Sequence, residues 1–324
     1  MANLGLIGDI GGTNARFALT DLSTPSPQIS EEHTFGDDRF AGLREAALEY
    51  LKRTGVRPRR ATLAVAAPGT GDQITFANRA WSFKRSELQR ALALDDLQVI
   101  NDFGAIGWAA PKLDPAQRVP MAGQATRELQ GPVTLIGPGT GLGVGLLVGP
   151  PEQGWRVVET EGGHATFAAT DDEERGIVRW IAARHQRVYN ELLLSGGGLS
   201  RIDAALRGVA PVAPPAPQPG LRAPKDIVDA ALRGDDADAL RALERFCNTF
   251  GNVAGDTAML HGARTVLIAG GIVLHFLERF RGSGFMRHFT DKGQYAPYIR
   301  RIAVQVITHP NPGLLGAAVA LRHS

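Results

Sequence analysis

Several things are scarce in this chain. Of its 324 residues one is cysteine, four are tryptophan and four tyrosine, and aromatics make up only 6%. The lone Cys247 excludes an intrachain disulfide and any zinc site built from several thiolates. Its apolar setting, Arg245-Phe-Cys-Asn-Thr-Phe250, reads as a packed side chain and not as a reactive thiol. No run of about 18 apolar residues occurs, so no membrane-spanning helix is expected. The start, Met-Ala-Asn-Leu-Gly-Leu-Ile-Gly-Asp9, meets a negative charge too early for a signal-peptide core, and a reducing cytoplasm is the expected setting. Neither sign of charge dominates: 35 basic residues, only five of them lysine, face 33 acidic ones. The arginines are scattered apart from Arg57, Arg59 and Arg60, and no basic stripe interleaves with aromatics, so a nucleic-acid surface is not indicated.

What is abundant is glycine. The 39 glycines are about 12% of the chain against an average near 7%. They follow no G-X-Y period, and a hydrophobic content of 44% with 21% charged residues is that of an ordinary globular protein, which excludes collagen and global disorder. The length accommodates about two domains.

Along the chain, strands alternate with helical patterns, the mark of an α/β architecture. Leu4-Gly-Leu-Ile7, the turn Asp9-Ile-Gly-Gly-Thr-Asn14 and Ala15-Arg-Phe-Ala-Leu19 read as strand, turn, strand. Helical spacing follows over Phe40–Arg53, a strand over Thr62–Ala66, a helix over Lys84–Leu92 with Ser82 as its cap, and a strand over Leu97–Ile100. A second strand-turn-strand, Val133–Ile136, Gly137–Gly143 and Val144–Val148, echoes the first. Two such glycine hairpins suit a polyphosphate gripped from both sides. Asp172–Arg184 reads as an amphipathic helix, 208–224 as a proline-rich surface loop, and Ala237–Leu260 as a long helix with a break expected near Gly251 or Gly255. Strand Thr265–Ala269, strand Ile302–Ile307 and helix Gly313–Leu321 complete the order.

Candidate chemistry sits at the ends of these elements. In Asp9-Ile-Gly-Gly-Thr13, Gly11 and Gly12 can take positive φ and aim N–H groups at phosphate oxygens, while Thr13 adds a hydroxyl. Asp9 would repel phosphate unless Mg²⁺, through water, lies between them; the plain alternative is a hairpin turn. Gly139-Thr-Gly-Leu-Gly-Val-Gly145 is neither a P-loop nor the dinucleotide fingerprint. Asn101-Asp102 closes a strand where α/β proteins place ligands. There the aspartate can take a proton from an attacking hydroxyl and the amide can hold a sugar hydroxyl; the alternative is a cap for a helix beginning near Ala105. Glu161-Gly-Gly-His164 sets a carboxylate and an imidazole around a turn, suited to adjacent hydroxyls or simply a polar turn. Glu191 is a lone carboxylate before Leu192-Leu-Leu-Ser-Gly-Gly-Gly198. Gly196–Gly198 and Gly270-Gly271 suit a surface beside adenine, or mark helix starts.

Eight stretches in order carry a resemblance: Gly8–Arg16, Asn78-Arg-Ala-Trp81, Asn101-Asp-Phe103, Gly137–Gly143, Glu161–His164, Leu194–Leu199, Ile268–Ile272 and Asn311–Gly316. The chain resembles the bacterial glucokinase family of the hexokinase/actin-like ATPase superfamily, in the branch without the zinc-binding cysteine motif. The resemblance implies a two-lobed α/β, ribonuclease H-like fold with mixed sheets and a cleft between lobes. It implies a small domain over 1–110, completed by a C-terminal helix at 311–324, and a large domain over 111–310. The implied activity is ATP-dependent phosphorylation of glucose at its C6 hydroxyl. Asp102 is then the general base; Asn101, Glu161, His164 and Glu191 hold the other hydroxyls. Gly8, Asp9, Ile10, Gly11, Gly12 and Thr13 form the first phosphate loop, and Gly137, Gly139 and Thr140 the second. Gly270 and Gly271 lie by adenosine, and Asp9 reaches Mg²⁺ through water. Gly197 stands where relatives carry proline. Other hexoses, hexosamines or a polyphosphate donor remain alternatives, as does a non-catalytic sensor; a homodimer fits the family without following from these residues.

Overall fold

Leu4-Gly-Leu-Ile-Gly-Asp-Ile10 is apolar on both faces, and in the computed structural model it forms strand β1. The structure describes residues 3–12, 14–36, 39–67, 69–76, 81–122, 128–149 and 154–323. Thr13 and Asn78-Arg79-Ala80, for which roles or a family match are expected, lie outside the described residues. Successive strand residues point to opposite faces. Accordingly Leu6 joins Phe17, Leu43 and Tyr50 in one cluster, and Ile7 joins Leu314, Ala317 and Leu321 in another. A strand buried on both faces needs a helix on each; these are Leu43–Thr54 and Pro312–Ala320. The latter helix, Pro-Gly-Leu-Leu-Gly-Ala-Ala-Val-Ala, is apolar all round because it is buried all round.

The chain divides into two compact units. The first comprises Met1–Asp114, Val157–Glu159 and His309–Ser324. Its strands are β1, β2 (Asn14–Asp21), β3 (Ile29–Gly36), β4 (Arg60–Val65), a small hairpin β5 (Gln73–Thr75) and β6 (Ser82–Lys84), and β7 (Asp96–Asn101). The main sheet has the order β3-β2-β1-β4-β7, with β2 antiparallel to β1 and β4 and β7 parallel to it in turn. Ser82 is a strand residue and not a helix cap: the helix runs over Arg85–Ala91, and Asp72 takes the Ser86 N–H at 2.8 Å and its hydroxyl at 3.0 Å.

The second unit comprises Pro115–Arg156 and Thr160–Thr308. Its sheet is built from β8 (Arg118–Pro120), β9 (Val133–Pro138), β10 (Leu142–Val148), β11 (Arg156–Thr160, of which Val157–Glu159 group with the first unit), β12 (Thr265–Ile268) and β13 (Ala303–Ile307), in the order β11-β10-β9-β12-β13-β8. Here too an antiparallel hairpin, β9–β10, is flanked by two parallel strands in succession. The echo between the glycine hairpins is thus part of a larger repeat: β11-β10-β9-β12-β13 has the same chain-order pattern as β3-β2-β1-β4-β7, and β8 is added at the edge of the second sheet. Helices Asp172–Ala182, Gly196–Leu206, Pro224–Arg233 and Ala237–Leu260 supply the second core, in which Ile136, Val144, Ile202, Phe246 and Phe250 are buried.

The break expected near Gly251 or Gly255 does not occur. The helix is continuous for 24 residues, and the two glycines instead admit a neighbouring chain segment. A Cβ at Gly251 would lie 2.3 Å from the Phe285 carbonyl oxygen, and one at Gly255 2.5 Å from that of Phe289. Cys247 is 1% exposed and burial pushes its thiol up to about 12, as its apolar setting suggests. The proline-rich segment is a loop held at several carbonyls. Trp180 Nε1 donates to Val209 O at 2.6 Å, Arg184 to Val212 O and Ala216 O, and Arg207 to Gly220 O at 2.6 Å, while Arg222 pairs with buried Asp203. No described helix is long and apolar enough to cross a membrane.

Candidate active site

In the first unit, the hairpin register sets Asp9 opposite Arg16, and their charged groups lie 3.5 Å apart. Burial raises the Asp9 carboxyl above its ordinary value; the Arg16 guanidinium opposes that shift and the Glu32 charge adds to it. A Cβ at Gly313 would stand 2.7 Å from the Asp9 carboxyl carbon, so Gly313 is the space in which that carboxylate sits. Beside it, Asn311 Nδ2 donates to Glu32 at 2.8 Å. Ile10 is wholly buried, and its carbonyl accepts the Ala66 N–H at 3.1 Å. Gly11 does not take the expected positive φ, and its N–H closes the turn on Asn14 O at 3.0 Å. Gly8 serves packing, since a Cβ there would fall 2.7 Å from Leu63.

Asn101 ends β7 and caps the helix Asp102–Ala109, which begins three residues before Ala105. Its Oδ1 accepts the Phe103 N–H at 2.9 Å and the Gly104 N–H at 3.2 Å, so the cap alternative is realised. Its Nδ2 donates to Ala67 O at 3.3 Å and has a second hydrogen for a ligand. Asp102, the first helical residue, is half-buried and accepts the Phe103 N–H at 2.8 Å. Within the same unit, Glu159 accepts the Asn101 N–H at 2.8 Å. That approach depends on Gly104, where a Cβ would lie 2.5 Å from the Glu159 oxygen.

In the second unit the glycine-rich turns converge. A Cβ at Gly137 would sit 1.8 Å from Ala269 O, and one at Gly270 2.4 Å from Pro138 O. Gly270, at φ 100°, precedes the short helix Gly271–Leu274. Gly139 donates to Gly141 O at 2.8 Å and accepts the Gly196 N–H at 3.0 Å; Thr140 is exposed. Gly196 and Gly271 are both first residues of helices. The Glu161 turn packs on β10 and presents an exposed carboxylate and imidazole. His164 Nε2 lies 3.6 Å from Glu191 Oε1, and the Glu191 Oε2 accepts the Leu142 N–H at 2.8 Å. The structure thus brings Glu191 to His164 across 27 positions of sequence. Two neighbours gave no signal in the sequence. Tyr189 lies flat against the His164 ring with centroids 4.5 Å apart. Arg201, half-buried, donates to Leu192 O at 3.1 Å with its charge facing Glu191 and Tyr189.

Among the described residues no group of three or more His, Cys, Asp or Glu is disposed to hold a metal ion. A single desolvated carboxylate, Asp9, fits a Mg²⁺ that keeps most of its waters and is held mainly by phosphate oxygens.

A sequence model of the glucokinase family matches residues 6–324. A glucokinase of Psychromonas ingrahamii is 39% identical over 325 residues, covering 100% of this chain and 98% of its own. The crystal structure of a glucokinase from an Antarctic psychrotroph superposes with a TM-score of 0.82 at 34% identity, with 100% of both chains covered. A Balamuthia mandrillaris glucokinase solved with glucose shares the fold, at TM-score 0.78 and 21% identity over 100% of this chain and 94% of its own. The match takes in both glycine hairpins, the Asn101-Asp102 cap and the Glu161, His164 and Glu191 cluster: the chain belongs to the glucokinase family.

Proposed function

We propose that the protein transfers the γ-phosphoryl group of ATP to the C6 hydroxyl of glucose, giving glucose 6-phosphate and ADP. The observation that carries this reading is the His164–Glu191 pair, 3.6 Å apart with Glu161 on the same turn: carboxylates that accept and an imidazole that can donate or accept, as neighbouring sugar hydroxyls require. Asn101 adds its remaining amide hydrogen. Asp102 accepts the C6 hydroxyl proton as that oxygen attacks phosphorus in line. Its rotation is limited by the bond to the Phe103 N–H, which holds the carboxylate in place at the start of the helix. The backbone at Gly11-Gly12 and at Gly139-Thr140 faces the phosphates, with Gly8, Ile10 and Gly137 packed beneath the turns, and Gly270-Gly271 faces the adenosine. Mg²⁺, held near Asp9 by way of water, would offset phosphate charge. A cytoplasmic setting, where ATP is supplied and Cys247 stays reduced, suits this chemistry.

The test is ADP release followed with a coupled assay. Glucose should stimulate ATP consumption strongly, and mannose, glucosamine and fructose less. Substituting polyphosphate for ATP should abolish product. Asp102→Asn should lower kcat about 10²–10⁴-fold while glucose still binds. An Asp102→Asn enzyme with near-normal turnover overturns the general-base assignment, and ATP consumption indifferent to every hexose overturns the kinase reading.

A further inference from the structure

Glu191 faces two ways. One oxygen lies toward His164, on the side given to the sugar, while the other accepts the Leu142 N–H at 2.8 Å. Leu142 begins β10, immediately after the turn that contains Gly139 and Thr140. In a hairpin the first N–H past the turn is ordinarily taken by the facing strand; here a side-chain carboxylate takes it. Room for that carboxylate comes from Gly141, where a Cβ would stand 2.3 Å from Oε2. The backbone at Gly141 does not have positive φ, so glycine is required there by the carboxylate and not by the turn. The main chain after Glu191 is tied to the same turn: the Ser195 hydroxyl donates to Glu191 O at 2.8 Å, and the Gly196 N–H donates to Gly139 O at 3.0 Å.

We propose that Glu191 is a strut for the second phosphate loop as well as a sugar ligand, so that the sugar subsite and the nucleotide loop are set by one carboxylate. The proposal rests on the glucokinase reading of these residues. A hydrogen bond to a charged acceptor is strong enough to fix a loop. A sugar that immobilises Glu191 therefore pre-orders the loop, and by linkage nucleotide binding tightens the sugar by the same factor.

The test uses the full-length chain and ADP with Mg²⁺ as probe, titrated calorimetrically without sugar. Glu191→Ala removes the acceptor and should weaken ADP about tenfold. Glu191→Gln keeps an oxygen that can accept the Leu142 N–H, and should bind ADP within about twofold of the parent. ADP affinity unchanged in Glu191→Ala overturns the strut, as does an equal loss in both variants. Glucose titrations on the same proteins report on the sugar role separately. A Gln variant with parental glucose affinity counts against Glu191 as a sugar ligand, whatever the ADP result.

A second variant leaves Glu191 in place. Gly141→Ala pushes the carboxylate away from Leu142 and should raise the KM for glucose about fivefold or more, although the substitution lies in the nucleotide loop. A parental glucose KM in a normally folded Gly141→Ala protein overturns the proposal.

Discussion

The imidazole of His164 lies face to face with the phenol ring of Tyr189, the centroids 4.5 Å apart and the planes at 15°. An exposed histidine would otherwise sample several rotamers, so the stack holds a ligand side chain in one of them before the ligand arrives. Tyr189→Ala should raise the KM for glucose about three- to tenfold with kcat little changed, given ~0.5–1.5 kcal/mol for an aromatic pair. Tyr189→Phe, which keeps the face and loses only the hydroxyl, should restore it. A glucose KM raised equally by both variants would place the effect on the hydroxyl and not on the stack.

Asn101 is both a helix cap and a candidate sugar ligand, and one pair of variants separates the two. Asn101→Ala removes the acceptor for the Phe103 and Gly104 N–H groups and should lower stability by about 1 kcal/mol. Asn101→Asp retains the cap and should unfold at nearly the parental temperature. It lacks the amide hydrogen and adds charge beside Asp102, so glucose binding should fall several-fold even though the fold is preserved. Urea unfolding together with glucose titration reads both outcomes.

Asp9 links function to pH. Its carboxyl is raised above 3.8, chiefly by burial, so the folded protein holds this proton more tightly than the unfolded chain. The stabilisation from that proton is present below 3.8 and is lost as pH rises through the folded value. At neutral pH the ionised, desolvated carboxylate is therefore unfavourable in the nucleotide-free protein. Asp9→Asn should raise the neutral-pH melting temperature, flatten its pH dependence above pH 4, and lower kcat about 100-fold. Parental turnover in this variant would remove Asp9 from the phosphate site; a fallen melting temperature would mean that its bond with Arg16 outweighs the desolvation.

Gly251 has no contact with the site, which makes it a test of packing alone. A methyl group there must displace the Phe285 carbonyl, now 2.3 Å from where the Cβ would stand. Gly251→Ala should lose about 1–3 kcal/mol, measured by urea unfolding, and keep the parental KM for both substrates.

The sequence shows the hairpins plainly, because a short apolar run, a glycine turn and a second run are local signals. It shows Asn101-Asp102 and Glu161–His164 for the same reason: each is a contiguous cluster at the end of an element. It does not show what meets them. Glu159 reaches Asn101 and Glu191 reaches Leu142 only through strand register and loop closure, over separations of 58 and 49 residues. The glycines illustrate both halves. Fifteen of the 39 fall in the motifs, and all of these look like bare backbone offered to a ligand. In the structure Gly139 and Gly271 are open, but Gly8, Gly137, Gly163 and Gly198 each have another part of the chain where a Cβ would be. A glycine needed for a neighbouring carbonyl and one needed for a phosphate are the same letter. The break that glycine's propensity predicts near Gly251 or Gly255 is absent for the same reason: close packing against Phe285 and Phe289 outweighs that propensity.

The C-terminal helix has a consequence for how the protein is made. Leu314, Ala317 and Leu321 cover Ile7 and Ala18, and at Gly316 the helix passes so near Ala105 that a Cβ would fall 1.7 Å from its carbonyl oxygen. The part of the first unit's sheet around Ile7 and Ala18 therefore stays bare until at least residue 321 has left the ribosome. The intervening residues of the second unit emerge sooner and hold their own core, so on the ribosome the order of completion reverses the order of synthesis. The nascent first sheet thus keeps an apolar patch uncovered throughout elongation, and its shielding during that time cannot come from the rest of its own unit.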